Sequence, residues 1–204
     1  MKIPAEIWLS AYSVYLPFIG LGVIMFRGVN LGHLKAFLPY LLLAIIFQTI
    51  QFFHRSYELY NIYWVVEYIT VSFLFISWGR QLRLSLFSLL IPFGLIITAS
   101  QLSNLNSHNI YSLLFQSFIL TTAGTGVIYL IMRYRIGSIN YSKLLIVCGI
   151  VIYYSANIFS FSIYGNEFSY IAHSFVNAFT NLIILVGVLA KVWHHKLIRV
   201  SISQ

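Results

Sequence analysis

One carboxylate inside an apolar stretch is the residue of this sequence best placed to do chemistry. Glu67 lies in a run of mostly aliphatic and aromatic residues, and it is the only acidic residue in such a position. A carboxylate in hydrocarbon is costly, so it usually faces a partner or a water-filled cavity, where it can bind a proton, an ion or a polar ligand. Glu67 is therefore the leading candidate for a functional residue.

Amides on neighbouring predicted helices lie at a similar depth to Glu67. At about 1.5 Å per residue from the outer helix ends, Glu67 is roughly 8 Å deep and the amides are roughly 8 to 10 Å deep. On the last predicted helix, polar residues recur at every fourth position from His173, so they share one face. If these faces point inward, they enclose a polar pocket that opens outward. The predicted ligand-binding residues are Glu67, His173, Asn177, Gln48, Gln116, Asn157, Tyr63 and Asn181.

The same polar residues also fit purely structural roles. Amides in membrane helices often form interhelical hydrogen bonds, each worth about 0.6 kcal/mol. A pair of Glu67 with His173 or with Arg55 would explain a buried carboxylate without any ligand. His54, Glu67 and His173 together reach the ligand number of a catalytic zinc site. The sequence has no HxxxH or HExxH pattern, so no metal site is predicted.

The amino-acid composition differs from that of a protein domain surrounded by water. Its 204 residues are 60% hydrophobic and 8% charged, whereas soluble domains have about 25% charged residues. This composition is typical of a polytopic membrane protein. The net charge of +8 is spread over several loops, so a nucleic-acid partner is not expected. With one cysteine, no Asp and no phosphate-binding or dinucleotide motif, the sequence predicts no internal disulfide and no cofactor.

Seven segments are predicted as transmembrane helices, because each approaches the ~20 apolar residues that a span needs. They cover residues 7–26, 36–53, 62–78, 84–101, 110–132, 144–164 and 170–193. Of the 12 Lys and Arg residues, all but Lys2 and Arg55 fall in loops on one side. The positive-inside rule then predicts the N-terminus outside and the C-terminus in the cytoplasm. Residues 1–204 would thus form one all-α, seven-helix domain in the inner membrane.

An offset of 110 residues aligns parts of the third and seventh predicted helices. It places Tyr60 on Tyr170 and Glu67 on Asn177. Both helices would run from outside to inside, so the two copies would be parallel. Such a repeat can give seven helices in a three-plus-one-plus-three arrangement, in which one helix lies between two repeats of three helices each.

Two short runs of polar and aromatic residues resemble runs found in a group of membrane proteins. They are YNIYxxxE at residues 60–67 and HSxxNxxxN at residues 173–181. With these runs, the chain resembles small seven-helix inner-membrane proteins of the Bacteroidota, and similar runs precede histidine kinase regions in relatives of that group. The resemblance implies that the patterns of the third and seventh predicted helices belong together. It does not supply a reaction.

Three functions fit these features, and an enzymatic activity stays open although a non-enzymatic role is favoured. The leading hypothesis is a sensor or receptor-like module, whose pocket binds a small polar ligand or ion and whose helices signal to a cytoplasmic partner. The second is a small-solute transporter that is coupled to protons through Glu67. The third is an intramembrane metal-dependent lipid hydrolase. A retinal protein is excluded, because the lysine near the last helix, Lys191, lies at its cytoplasmic end.

Overall fold

The chain folds into helices over the residues that the structure describes. The computed structural model describes residues 12–28, 30–53, 57–103, 109–133, 137–162 and 167–202. The seven helices within these ranges are α1 (Leu16–Phe26), α2 (Leu38–Phe53), α3 (Tyr57–Trp78), α4 (Arg83–Ser103), α5 (Ile110–Arg133), α6 (Gly137–Ser162) and α7 (Glu167–Ile202). Each helix overlaps one of the predicted segments, so the all-α prediction is confirmed.

Five of these helices are long and apolar enough to cross a membrane. They supply the spans Glu58–Trp78, Arg80–Ser103, Ile110–Arg133, Tyr141–Ser160 and Ile171–Lys191. The apolar parts of α1 and α2, Leu16–Phe26 and Leu38–Ile50, are shorter. The helices therefore indicate a multi-pass membrane protein.

The distribution of polar and apolar side chains is that of a bundle surrounded by lipid. Large apolar side chains are exposed on the outside of the bundle, and Leu84 and Tyr111 are each 85% exposed. Five larger polar side chains of the described residues, by contrast, are 0% exposed: Asn61, Glu67, Gln101, Gln116 and Asn157. A soluble fold usually does the reverse, because large polar side chains are mostly exposed to water. The inverted arrangement supports placement of the helices in a bilayer.

The third and fifth helices each pack against three others. α3 packs against α2, α4 and α5, while α7 packs against α6 and α1. The helices approach one another closely at Gly124 of α5. A Cβ atom there would overlap Val151 of α6 and lie 3.0 Å from the ring of Phe75 on α3. Small residues allow such close packing of membrane helices, and this contact lies about two helical turns from Glu67.

Two short 3-10 helices join the longer ones at one end of the bundle. Gly32–Ala36 connects α1 to α2, and Arg80–Leu82 connects α3 to α4. The first of these packs into the bundle, because Leu34 and the following Phe37 are both 0% exposed. Gly32 has a φ of 52°, in the left-handed region that favours glycine.

Candidate functional site

Glu67 lies well inside α3, because the helix includes the polar flank of the predicted segment. The described helix covers Tyr57–Trp78, whereas the predicted segment starts at residue 62. Glu67 is therefore about 15 Å from Tyr57 along the helix axis, compared with roughly 8 Å when counted from residue 62. The Glu67 side chain is fully buried at this level.

Tyr63 holds one oxygen of the Glu67 carboxyl group. It lies one turn earlier on the same face of α3, and its hydroxyl donates a 2.7 Å hydrogen bond to Oε1. The Tyr63 ring stacks on Phe47 of α2, with centroids 3.8 Å apart and an angle of 17° between the planes. Because the stacking orients the ring, the hydrogen bond links the carboxyl group to α2 as well as to α3.

The second carboxyl oxygen faces further hydroxyl groups. Oε2 of Glu67 and the hydroxyl of Tyr154 are both buried without a hydrogen bond of standard geometry in the part of the chain described. Tyr154 of α6 lies beside the carboxyl group, so a small movement of its ring would complete that bond. Tyr40 of α2 and Tyr153 of α6 are within electrostatic range of the carboxylate. We call Glu67 with Tyr40, Tyr63, Tyr153 and Tyr154 the Glu67–tyrosine centre.

The predicted site lacked three of these tyrosines. Tyr153 and Tyr154 fall in the middle of the predicted segment 144–164, and Tyr40 lies near the start of α2. Tyrosines of membrane proteins are enriched at the two interfaces. Adjacent tyrosines in mid-span are therefore the signal that could have identified two of the three. No sequence spacing links them to Glu67, because their proximity depends on how the helices pack.

His173 contacts Tyr153 of the Glu67–tyrosine centre, and it does not contact Glu67 itself. The His173 ring lies against Tyr153, with centroids 6.1 Å apart. Within the described ranges, no group of three His, Cys, Asp or Glu side chains is placed to hold a metal ion. Arg55 and His54, the other predicted neighbours of Glu67, lie outside the described residues. The described part of the chain thus offers Glu67 hydroxyl groups and no ion pair.

Gln116 and Asn157 add buried amides near the same helices. Nε2 of Gln116 donates a 3.0 Å hydrogen bond to the backbone carbonyl of Trp64, which ties α5 to α3. Oε1 of Gln116 and both polar atoms of Asn157 are buried without a hydrogen-bond partner among the described residues. Tyr153, one turn before Asn157 on α6, lies beside that amide. Each unsatisfied buried group costs about 1–3 kcal/mol, so these are places where a bound water or ligand would be stabilising.

Asn177 and Asn181 belong to a different polar group, between α7 and the segment just before α1. Nδ2 of Asn181 is 3.2 Å from Oδ1 of Asn177 and 3.0 Å from Oγ of Ser13, and it donates to both. This geometry favours the structural alternative, interhelical bonding, for these two amides. Gln48 is half-buried on α2. The hydrogen bonds of Asn181 thus join α7 to the start of the described chain.

Fold and site together define an all-helical, multi-pass membrane protein with a buried carboxyl group among tyrosines. Comparisons with protein-family models, with curated proteins and with solved structures give no match to this chain. The resemblance to small seven-helix proteins of the Bacteroidota therefore stays a prediction. The geometry of the site carries the functional argument.

Replacing Tyr63 by Phe tests the hydrogen bond to Glu67. Tyr63→Phe keeps the ring that stacks on Phe47 but removes the donor to Oε1. We expect a loss of about 1–3 kcal/mol in the free energy of unfolding, because a buried acceptor loses its partner. Denaturant titration in mixed micelles measures this value. The control Tyr111→Phe changes an exposed ring of α5 and should stay within about 0.5 kcal/mol of wild type. Equal stability of both variants would contradict the assigned bond.

Proposed function

We propose that the protein is an inner-membrane module of the sensor or receptor type, whose Glu67–tyrosine centre binds a proton, a small cation or a small polar ligand. One observation carries the proposal. The Glu67 carboxyl group is fully buried within α3, where the Tyr63 hydroxyl donates to Oε1 and Tyr154 lies beside the carboxyl group. An ionisable group in a membrane span marks a functional site by default. A proton, ion or ligand at Oε2 would supply the partner that this oxygen lacks.

Binding at Oε2 would act on several helices at once. Tyr63 connects the carboxyl group to Phe47 on α2, and Tyr154 contributes from α6. Gln116 of α5 is bonded to the backbone of α3 less than one turn from Glu67. A change of charge at the carboxyl group alters the hydrogen bonding of both tyrosines, so it biases how the helices pack. A receptor needs this coupling between a ligand and two packed arrangements. A cytoplasmic partner would respond to the change.

A proton-coupled transporter of small solutes is the second candidate. The position of Glu67 at mid-helix favours it, because substrate and coupling-ion sites of transporters lie near the bilayer midplane. The continuous helix around Glu67 favours the sensor, since many transporter sites are formed by interrupted helices. Uptake of labelled neutral solutes into proteoliposomes separates the two. Uptake that is driven by a pH gradient and lost in Glu67→Gln would favour transport. We do not propose the hydrolase, because within the described residues no three His, Cys, Asp or Glu side chains are placed to hold a metal ion, and His54 lies outside those residues.

The proposal includes seven spans, with α1 and α2 as the shorter two. α1 packs against α7 and α2 against α3, so both belong to the bundle. The distribution of Lys and Arg supports an outside N-terminus. The 110-residue offset that places Glu67 of α3 on Asn177 of α7 supports the proposed three-plus-one-plus-three repeat.

Fusions at the C-terminus test this orientation in bacterial cells. A green fluorescent protein after Gln204 should be fluorescent, because the positive-inside rule places this end in the cytoplasm. An alkaline phosphatase at the same position should be inactive, since that enzyme needs the oxidising periplasm for its disulfides. An active phosphatase with a dark fluorescent fusion would overturn the orientation.

A conservative exchange of Glu67 tests the binding centre. Trp64 is a natural reporter, because its ring centroid is 5.8 Å from that of Tyr63. In lipid nanodiscs, we expect the tryptophan fluorescence of wild type to change in a transition as pH is varied, since the carboxyl group gains or loses its charge beside Tyr63. Glu67→Gln should lack this transition. Glu58→Gln is the matched control, because Glu58 is exposed at the start of α3.

Other groups near the centre also titrate, so the experiment needs two further arms. His173→Gln should keep the transition, because His173 contacts Tyr153 and not the carboxyl group. Addition of Na⁺ or K⁺ at fixed pH tests whether the centre binds a cation. A change in tryptophan fluorescence that is seen in wild type and lost in Glu67→Gln would support cation binding. If Glu67→Gln and wild type show the same transition and the same response to both ions, Glu67 is structural and the proposal fails.

A further inference from the structure

The end of the bundle at Trp78 holds a second polar site, separate from the Glu67–tyrosine centre. Trp78 is the last residue of α3, about 16 Å from Glu67 along the helix axis. Its Nε1 donates a 3.2 Å hydrogen bond to the backbone carbonyl of His33, and the two rings meet edge to face at 5.9 Å. Nε2 of His33 is 2.9 Å from Oγ of Ser142 on α6. These contacts fix α3, α6 and the 3-10 helix Gly32–Ala36 against one another.

Two lysines from different helices lie against the Trp78 ring and the 3-10 helix Gly32–Ala36. Lys143 of α6 lies over the Trp78 ring, with Nζ 5.9 Å from the centroid. Lys191 of α7 lies against Gly32, where an added Cβ atom would be 2.8 Å from Nζ. Both ammonium groups are within electrostatic range of His33. The absence of a side chain at Gly32 therefore leaves room for the Lys191 ammonium group.

Two further cations extend the group toward the surface. Lys35, on the same 3-10 helix as His33, is exposed and acts on Lys191 electrostatically. Arg80, the first residue of the second 3-10 helix, is exposed and acts on Lys143 electrostatically. We call Lys35, Arg80, Lys143 and Lys191 the basic cluster. Like charges held this close repel one another, so the arrangement favours an anion between them.

No carboxylate among the described residues lies at this end of the bundle to balance the basic cluster. Glu58 lies near the opposite end of α3, about 30 Å from Trp78. Glu67 is buried half-way along the same helix. Glu167 begins α7, about 36 Å from Lys191. The sequence has no Asp, so no acidic side chain of the described residues balances the charge of the cluster.

His33 adds a hydrogen-bonding group rather than another charge. Burial, and then the charges of Lys191 and Lys143, lower the pKa of His33 to about 4. The imidazole is therefore neutral at pH 7, and it can hold Ser142 and the Trp78 edge without adding to the repulsion. The hydrogen-bonded residues of the site, His33, Ser142 and Trp78, are thus neutral. The positive charge comes from the four side chains of the basic cluster, which can move to contact a ligand.

From this geometry, we propose that the basic cluster binds a phosphate group, either that of an anionic phospholipid or that of a soluble phosphate compound. Ammonium and guanidinium groups form strong charge-assisted hydrogen bonds with phosphate oxygens. Basic pockets between membrane helices at the cytoplasmic face bind phospholipid head groups. Trp78 fits this position, since tryptophan is enriched at the membrane interface. The site shares no residue with the Glu67–tyrosine centre, so this proposal is tested separately from the proposed function.

Thermal unfolding of the full chain in a mild non-ionic detergent tests the proposal. Phosphatidylglycerol, phosphatidylcholine or sodium phosphate is added at matched ionic strength, and Tm is followed against concentration. We expect phosphatidylglycerol to raise Tm and phosphatidylcholine to have no such effect. Lys143→Gln/Lys191→Gln should weaken the apparent affinity about 30-fold, as expected for the loss of two lysine contacts. If sodium phosphate alone reproduces the effect through the same lysines, the natural ligand is a soluble phosphate.

The matched control removes two positive charges at the same end of the bundle but outside the cluster. Arg83 begins α4 and packs over Phe87, and Arg133 ends α5 beside Tyr129. Arg83→Gln/Arg133→Gln should respond to phosphatidylglycerol as wild type does. If the double lysine variant does not fold, Lys191→Gln alone serves, with an expected loss of about fivefold. Equal stabilisation of the lysine variants and wild type, or equal effects of the two lipids, would overturn the proposal.

Discussion

A carboxyl group buried half-way along a membrane helix is the constraint on which the rest of this structure depends. A charge at the bilayer centre costs about 2.5–3.5 kcal/mol on insertion scales and more on an isolated helix. No Lys or Arg contacts Glu67 in the described part of the chain, so hydrogen bonds must offset the cost. Tyr63 supplies one such bond, and its ring is held by Phe47 of α2. Tyr154 of α6 lies beside the carboxyl group, and the absence of a side chain at Gly124 lets α5 pack closely against both α6 and α3. The polar interior thus determines how the helices pack.

The two sites lie on the same pair of helices at different levels. Glu67 and Trp78 are both on α3, while Tyr154 and Lys143 are both on α6. A movement of α3 against α6 that follows a change at Glu67 would also change the distance between Trp78 and Lys143. Charge is separated along the bundle, because the carboxyl group is central and the basic cluster lies at one end. The two sites therefore differ in chemistry and in level although they share two helices.

Much of the fold follows from the sequence, because long apolar segments have few alternatives to helix in a bilayer. All seven helices overlap predicted segments, and Glu67 and Tyr63 are joined as their spacing of one turn predicts. Glu67 lies further into its helix than a count from residue 62 gives, because the polar flank at residues 57–61 is helical. The tyrosines of α2 and α6 were missed because contacts between distant segments leave no periodic signal. The grouping of Asn181 with Ser13, away from Glu67, likewise depends on how α7 meets the start of the chain. Residue type and spacing thus identify a helix face, and packing decides which faces meet.

Infrared difference spectroscopy tests most directly whether Glu67 is a functional carboxyl group. The protein in lipid is stepped between two pH values, and the carbonyl stretching region of protonated carboxylic acids is recorded with and without deuterium exchange. We expect a band in wild type and in Glu58→Gln that appears on acidification and is absent from Glu67→Gln. Tyr63→Phe should shift the frequency of that band, since it removes the donor to Oε1. A spectrum of Glu67→Gln identical to wild type would contradict the account, because Glu67 would then neither bind nor release a proton.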